Sequence, residues 1–179
     1  MPHIDLPPDL PGITALLAFR PSTAKPLMEL AEVLLRSDNS LTRGERELIA
    51  AYVSNLNECR FCDASHSAFA AKQLDGGADL VGAVKHDPAT APVTPKLRAL
   101  LAIAAKVVPG GRSMSETDVA GARDAGATDE EIHDAVLIAA AFCMFNRYVD
   151  GLGTSAPDEP GAYAAVAELI VQEGYARPG

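Results

Sequence analysis

Apolar residues recur at helical spacing along nearly the whole chain, and the strict alternation of a half-buried strand is almost absent. That single periodicity excludes most folds. In residues 22–36, Leu27, Leu30, Val33 and Leu34 share one face, with Pro26 tolerable only near the start. The stretch "LTRGERELIAAYVSN" opens with Thr42 and Glu45, the spacing of a capping box, in which each residue's side chain serves the other's backbone N–H. A second helix is expected over about 58–74, stopped at Gly76 and Gly77. Thr94-Pro95 begins another, which ends before Pro109-Gly110-Gly111, matching the preference for proline in a first turn. Segments 115–125 and 128–149 follow, the latter opened by Thr128 and Glu131, and "EPGAYAAVAELIVQEGY" supplies a terminal helix. The reading is an all-α protein of roughly seven to nine helices joined by short loops. Segments 42–76 and 128–153 each read as a capped helical stretch ending in glycine, a hint of internal repetition.

Composition narrows the function classes. With 179 residues, 48% of them hydrophobic and 22% charged, the chain is long enough for one well-filled core. A formal charge of −9, with no Lys/Arg run, argues against nucleic acid and against an anionic membrane surface. The start, "MPHIDLPPDLPG", lacks the basic and apolar regions of a signal peptide. The longest apolar run, "AVLIAAAFCMF" (135–145), falls short of the ~20 residues of a membrane span. A reducing cytoplasm is therefore the expected compartment, where paired cysteines serve redox or metal chemistry more often than structure.

Two of the three cysteines and one of the four histidines fall in "NECRFCDASH" (57–66). On a helix, Cys59, Cys62 and His66 lie within roughly 60° of one another, with Cys62 adjacent to both neighbours. A dithiol at this spacing suits attack on an oxidant followed by disulfide closure. The helix dipole by itself favours an anion at Cys59, nearest the start, whereas proton acceptance by an imidazole favours Cys62. Simple core packing is one alternative. Zinc is another, but a closed structural site wants a fourth ligand and no second Cys/His pair exists. Covalent haem attachment is excluded, because Asp63 stands where CxxCH needs histidine. Glu47 lies twelve residues before Cys59; a turn at 55–57 would let its carboxylate reach the thiols. On spacing alone, however, Glu47 reads as a solvated residue pairing with Arg43.

Glu47, that gap and "CRFCDASH" together resemble the E…CxxCxxxH pattern of AhpD-like alkylhydroperoxidases, in the carboxymuconolactone decarboxylase superfamily. The later "AAAFCMFNRYVDGLG" is similar to the segment ending the core of its peroxidase-related subgroup. The resemblance covers roughly 27–153. It implies an AhpD-like helical bundle, a single domain over 1–179 with an N-terminal arm (1–21) and a C-terminal helix (about 160–173) added. It also implies a homotrimer or homohexamer with the thiol site near a subunit boundary. Carried over by position, Cys62 would be the peroxidatic cysteine, Cys59 the resolving one, His66 the proton acceptor and Glu47 the group that orients or drives His66. A lipoyl-bearing protein or another dithiol would recycle the disulfide, and no cofactor is implied.

Cys143 reads as core packing, and Asn146 and Arg147 either as cavity-lining or as structural hydrogen-bonding groups. Tyr52 fits a core or interface, with the thiol pocket as the other option; His133 fits a solvated first turn, and His3 and His86 carry no functional signal. The functional expectation is a thiol peroxidase acting on hydrogen peroxide or small organic hydroperoxides. Its alternatives are a disulfide reductase or redox sensor, a lactone decarboxylase-type enzyme, and a scaffold whose CxxC binds metal.

Overall fold

Three helices begin on reciprocal side-chain caps, which fixes their first residues. Thr42 with Glu45 opens α3 (Arg43–Leu56), Ser115 with Asp118 opens α7 (Glu116–Asp124), and Thr128 with Glu131 opens α8 (Asp129–Gly151). Thr94 caps α6 (Pro95–Val107), whose first residue is proline. The others are α1 (Gly12–Phe19), α2 (Pro21–Arg36), α4 (Arg60–Gln73), α5 (Gly77–His86) and α9 (Pro160–Glu173), with a 3-10 turn at Gly111–Ser113. The computed structural model describes residues 1–176; among them nine α-helices form and no strand does. The protein is all-α, as the periodicity predicts. Of the elements not expected from the sequence, α1 lies inside the N-terminal arm and α5 follows the double glycine.

The core is a layered bundle with α3 at its centre. Leu48, Ile49, Ala50, Ala51 and Val53 of α3 are completely buried, because α4, α6 and α8 cover it on successive sides. Such all-round burial suits its run of small and branched residues. At 23 residues, α8 is long and apolar enough to cross a membrane on length and composition, but it packs against α3 and α6 and buries Ile138, Phe142 and Phe145 in the core. Glu131, also buried, accepts from Ser40 and pairs with Lys96 at 2.7 Å, so the N-terminal turn of α8 carries a compensated charge.

Two peripheral helices close over α4. On one side, Leu16 of α1 packs with Cys59, Cys62 and Val149. Gly12 makes this approach possible: at φ +53 it has no Cβ, and one added there would sit 2.3 Å from the Phe61 ring. On the other side, α9 packs on α4 through Phe69, Ala167 and Ile170.

Candidate active site

The turn between α3 and α4 decides where the two cysteines stand. Cys59 N–H donates to Ser54 O and Glu58 N–H to Asn55 O, both at 3.0 Å, the bond pair of a Schellman motif. Glu58 occupies the left-handed position of that motif, at φ 58, where glycine is usual. The reversal leaves Cys59 in extended conformation (φ −79, ψ 93) as the N-cap of α4. This corrects the expected helix start near residue 58: Cys59 precedes the helix instead of lying on its face. Cys62 is the third residue of α4, and His66 stands one turn further on the same face.

The two thiols are electrostatically unlike. Cys62 is held below the usual thiol range, chiefly by the hydrogen bond Cys59 donates to it. Burial opposes this, while His66 and a hydrogen bond from Asn146 reinforce it and the charge of Asp150 acts against it. Cys59 is driven far upward by the same bond, by burial and by the proximity of Cys62, and it also hydrogen-bonds Asp150. The helix dipole alone favours an anion at Cys59, and these causes act the other way. Cys62 also lies in the first turn, so the dipole serves it as well, and the donated hydrogen bond breaks the tie. All three cysteines are free thiols.

Glu47 corrects a second expectation. It is 1% exposed, far from a solvated face, and its partner is not Arg43. The α3–α4 hairpin sets its Oε2 2.7 Å from His66 Nδ1, and Tyr175 Oη donates to its Oε1 at 2.6 Å. With Nδ1 engaged, Nε2 is the nitrogen left for the thiol. The imidazole is held in place by rings: Phe142 edge-on at 4.5 Å, Phe69 at 5.1 Å, and Tyr175 nearly parallel at 6.2 Å.

These groups stand at one side of a pocket of about 830 Å³. Five helices supply its walls, including Leu17 of α1, Met28 of α2, Phe69 of α4, Phe145 of α8 and Val166 of α9. Cys62 and His66 line it; Cys59, completely buried, does not. Among the described residues no group of three or more His, Cys, Asp and Glu is set to hold a metal ion.

Asn146, 1% exposed, is the second polar element of the site. Its amide donates to Ser54 Oγ at 3.1 Å, its oxygen accepts from Asn57 at 2.9 Å, and it hydrogen-bonds Cys62. Of the two options weighed for it, the structural one holds: Asn146 does not line the pocket, and its bonds tie α8 to α3 and the turn that follows it. Arg147 is exposed and bonds the Cys143 carbonyl one turn back, away from the pocket. Cys143 and Tyr52 are buried in the main core, while His3, His86 and His133 are exposed. Sequence reasoning missed Asp150 and Tyr175. Asp150 lies four residues after Asn146, hence on the same helix face, which is a usable signal. Tyr175, 128 residues from Glu47, gives none.

An all-helical bundle with a buried Cys-Cys-His-Glu constellation defines the class, and the family follows from the sequence match. The model of the carboxymuconolactone decarboxylase family matches residues 21–91 and again 78–154, and the chain belongs to that family. The two matches each contain one of the capping boxes behind the suspected repeat, Thr42–Glu45 and Thr128–Glu131. Among solved structures, the chain is similar to an alkylhydroperoxidase AhpD core, an uncharacterized peroxidase-related protein from Ralstonia eutropha JMP134. Identity is 28%, with a TM-score of 0.77 over 88% of this chain and 81% of the other. An uncharacterized peroxidase-related protein from Silicibacter sp. TM1040 is similar at 25% identity, with a TM-score of 0.76 over 86% and 78%. No curated protein matches the sequence.

Proposed function

We propose that the protein is a thiol-dependent peroxidase that reduces organic hydroperoxides at Cys62. The observation that carries this reading is the inequality of the two cysteines: only Cys62 lines the pocket, and only Cys62 is stabilised as a thiolate. Similarity to peroxidase-related structures supports the same reading.

His66 takes the Cys62 proton, and Glu47 stabilises the resulting imidazolium. The thiolate attacks the terminal peroxide oxygen, the O–O bond breaks, and His66 returns a proton to the departing alkoxide. Cys62 is left as a sulfenic acid and the peroxide as an alcohol. The Cys59 thiol then condenses with the sulfenic acid, releasing water and forming the Cys59–Cys62 disulfide. A dithiol reductant, of which a lipoyl-bearing protein is one kind, restores both thiols. The pocket is far larger than hydrogen peroxide requires and its walls are apolar, which favours a hydroperoxide with a hydrocarbon body. A homotrimer or homohexamer remains part of the proposal, to be read by light scattering.

Lactone decarboxylation, the chemistry of the family name, fits less well. A carboxylated substrate wants a buried cation, and the lysine lining this pocket, Lys25, is exposed and paired with Glu29 at 3.7 Å. The deciding experiment counts free thiols before and after one equivalent of cumene hydroperoxide. Loss of two thiols with Cys143 intact, and no loss after Cys62→Ala, is expected. Unchanged thiols in the native protein over minutes would sink the peroxidase.

A further inference from the structure

The carboxylate behind His66 has a second partner, one that lies beyond both family matches, the later of which ends at residue 154. Tyr175 follows α9, and its seat is built by α2. Arg36 Nη1 donates to the carbonyls of Ile170 and Val171 at 2.9 and 3.2 Å, closing the end of α9. Its Nε stands 3.3 Å from Glu32, whose other oxygen accepts the Tyr175 N–H at 2.7 Å. Gly174 makes the turn at φ +85; a Cβ there would fall 2.5 Å from the Glu32 carboxylate. The chain is thereby aimed inward, laying the Tyr175 ring against His66 and Phe69 and its hydroxyl on Glu47. Burial, and then the charge of Glu47, keep the phenol protonated well above its ordinary range, so it stands as a donor.

We infer that Tyr175 is a positioning residue of the thiol site: its hydroxyl holds Glu47 as an oriented carboxylate and so fixes His66 in place beside Cys62. The inference deepens the proposed function and shares with it only the assumption that Cys62 is the reacting sulfur. Glu47 accepts one hydrogen bond on each oxygen, from Tyr175 and from His66. Removing the phenol leaves Oε1 without that donor in a buried setting, which destabilises the anion. Glu47 then no longer anchors the imidazole as the positive neighbour of Cys62, the Cys62 thiolate loses that support, and thiol reactivity begins at higher pH. The surrounding charged and titratable groups are Lys25, Glu29, Glu32 and Arg36 on α2, Arg46 on α3 and Cys62 on α4. From α8, Phe142 meets the imidazole and Asp150 acts on the cysteines, while Glu168 of α9 is engaged by Lys72 at 2.6 Å.

The test follows carbamidomethylation of Cys62 by iodoacetamide against pH, read on the Cys62 peptide by mass spectrometry, which needs no peroxidase activity. Tyr175→Phe keeps the ring and removes only the oxygen. Its acid limb is expected to move up by about one pH unit, with a fall of about tenfold in rate below neutrality. Glu32→Gln, which weakens the seat without touching the hydroxyl, is expected to move the limb the same way by less. Tyr163→Phe serves as the control, because Tyr163 at the other end of α9 donates to the Pro157 carbonyl; its profile should superimpose on the native one. Native profiles for both Tyr175→Phe and Glu32→Gln, or an equal shift in Tyr163→Phe, would overturn the inference. A shifted Tyr175→Phe limb in a protein that ignores peroxide would uphold it while removing the peroxidase reading.

Discussion

Cys59 and Cys62 are neighbours, the first completely buried and the second lining the pocket, and two chemically identical groups thereby become unlike. Cys59 is pushed upward and so favoured as a thiol donor, and Cys62 is favoured as a thiolate. The asymmetry exists because the Schellman turn at Glu58 places Cys59 beneath the first turn of α4, completely buried, while Cys62 lines the pocket.

Removing that donor is expected to separate activation from resolution. In Cys59→Ala the onset of Cys62 alkylation should rise by about one pH unit, because a lowered thiol pKa loses its largest cause. The native protein should react well below pH ~8.5, where an ordinary thiol is mostly protonated. The variant should still form a sulfenic acid with cumene hydroperoxide, trapped by dimedone, but no intramolecular disulfide. Detection of a Cys62–Cys143 disulfide instead would assign the resolving role elsewhere.

His66→Ala should slow single-turnover oxidation of Cys62 by roughly 100-fold, the low end of general acid–base contributions. Glu47→Gln keeps the shape and loses the charge that faces His66 at 2.7 Å, and about tenfold is expected. Stopped-flow rates within twofold of native for both variants would remove the proton relay.

Asn146 ties stability to reactivity, since one buried amide serves Ser54, Asn57 and Cys62. Asn146→Ala should cost about 1–3 kcal/mol in urea unfolding, because those partners are left unsatisfied. It should also raise the pH at which Cys62 alkylates. A large stability loss with a native alkylation profile would restrict Asn146 to a structural role.

Glu58 holds a backbone conformation disfavoured for residues with a Cβ. Glu58→Gly is expected to stabilise the fold by roughly 0.5–1 kcal/mol, the relief of strain exceeding glycine's added chain entropy. Thermal unfolding reads this directly, and Cys62 reactivity should not change. A lower melting temperature would show that the Glu58 side chain contributes more than its strain.

Local rules account for much of what could be read in advance. The capping boxes at Thr42 and Thr128 and the Thr94-Pro95 start were legible, because a cap is formed by residues three apart. Cys62 and His66 were legible as a pair for the same reason, being one helical turn apart. Glu47 was not: spacing made it a solvated partner of Arg43, while a turn at 55–57 and the resemblance to a family pointed inward.

The sequence by itself determined the helical class, the starts of its principal helices and the kinds of groups that would do the chemistry, since all of these rest on residues within a turn or two of each other. The tertiary structure decided which cysteine faces the pocket, that Glu47 is buried, and that Asn146 of α8 and Tyr175 beyond α9 join the site. Those relationships span tens of residues to well over a hundred, and no periodicity carries over such distances. They are fixed only when helices pack and each buried polar group must find its partner in another element.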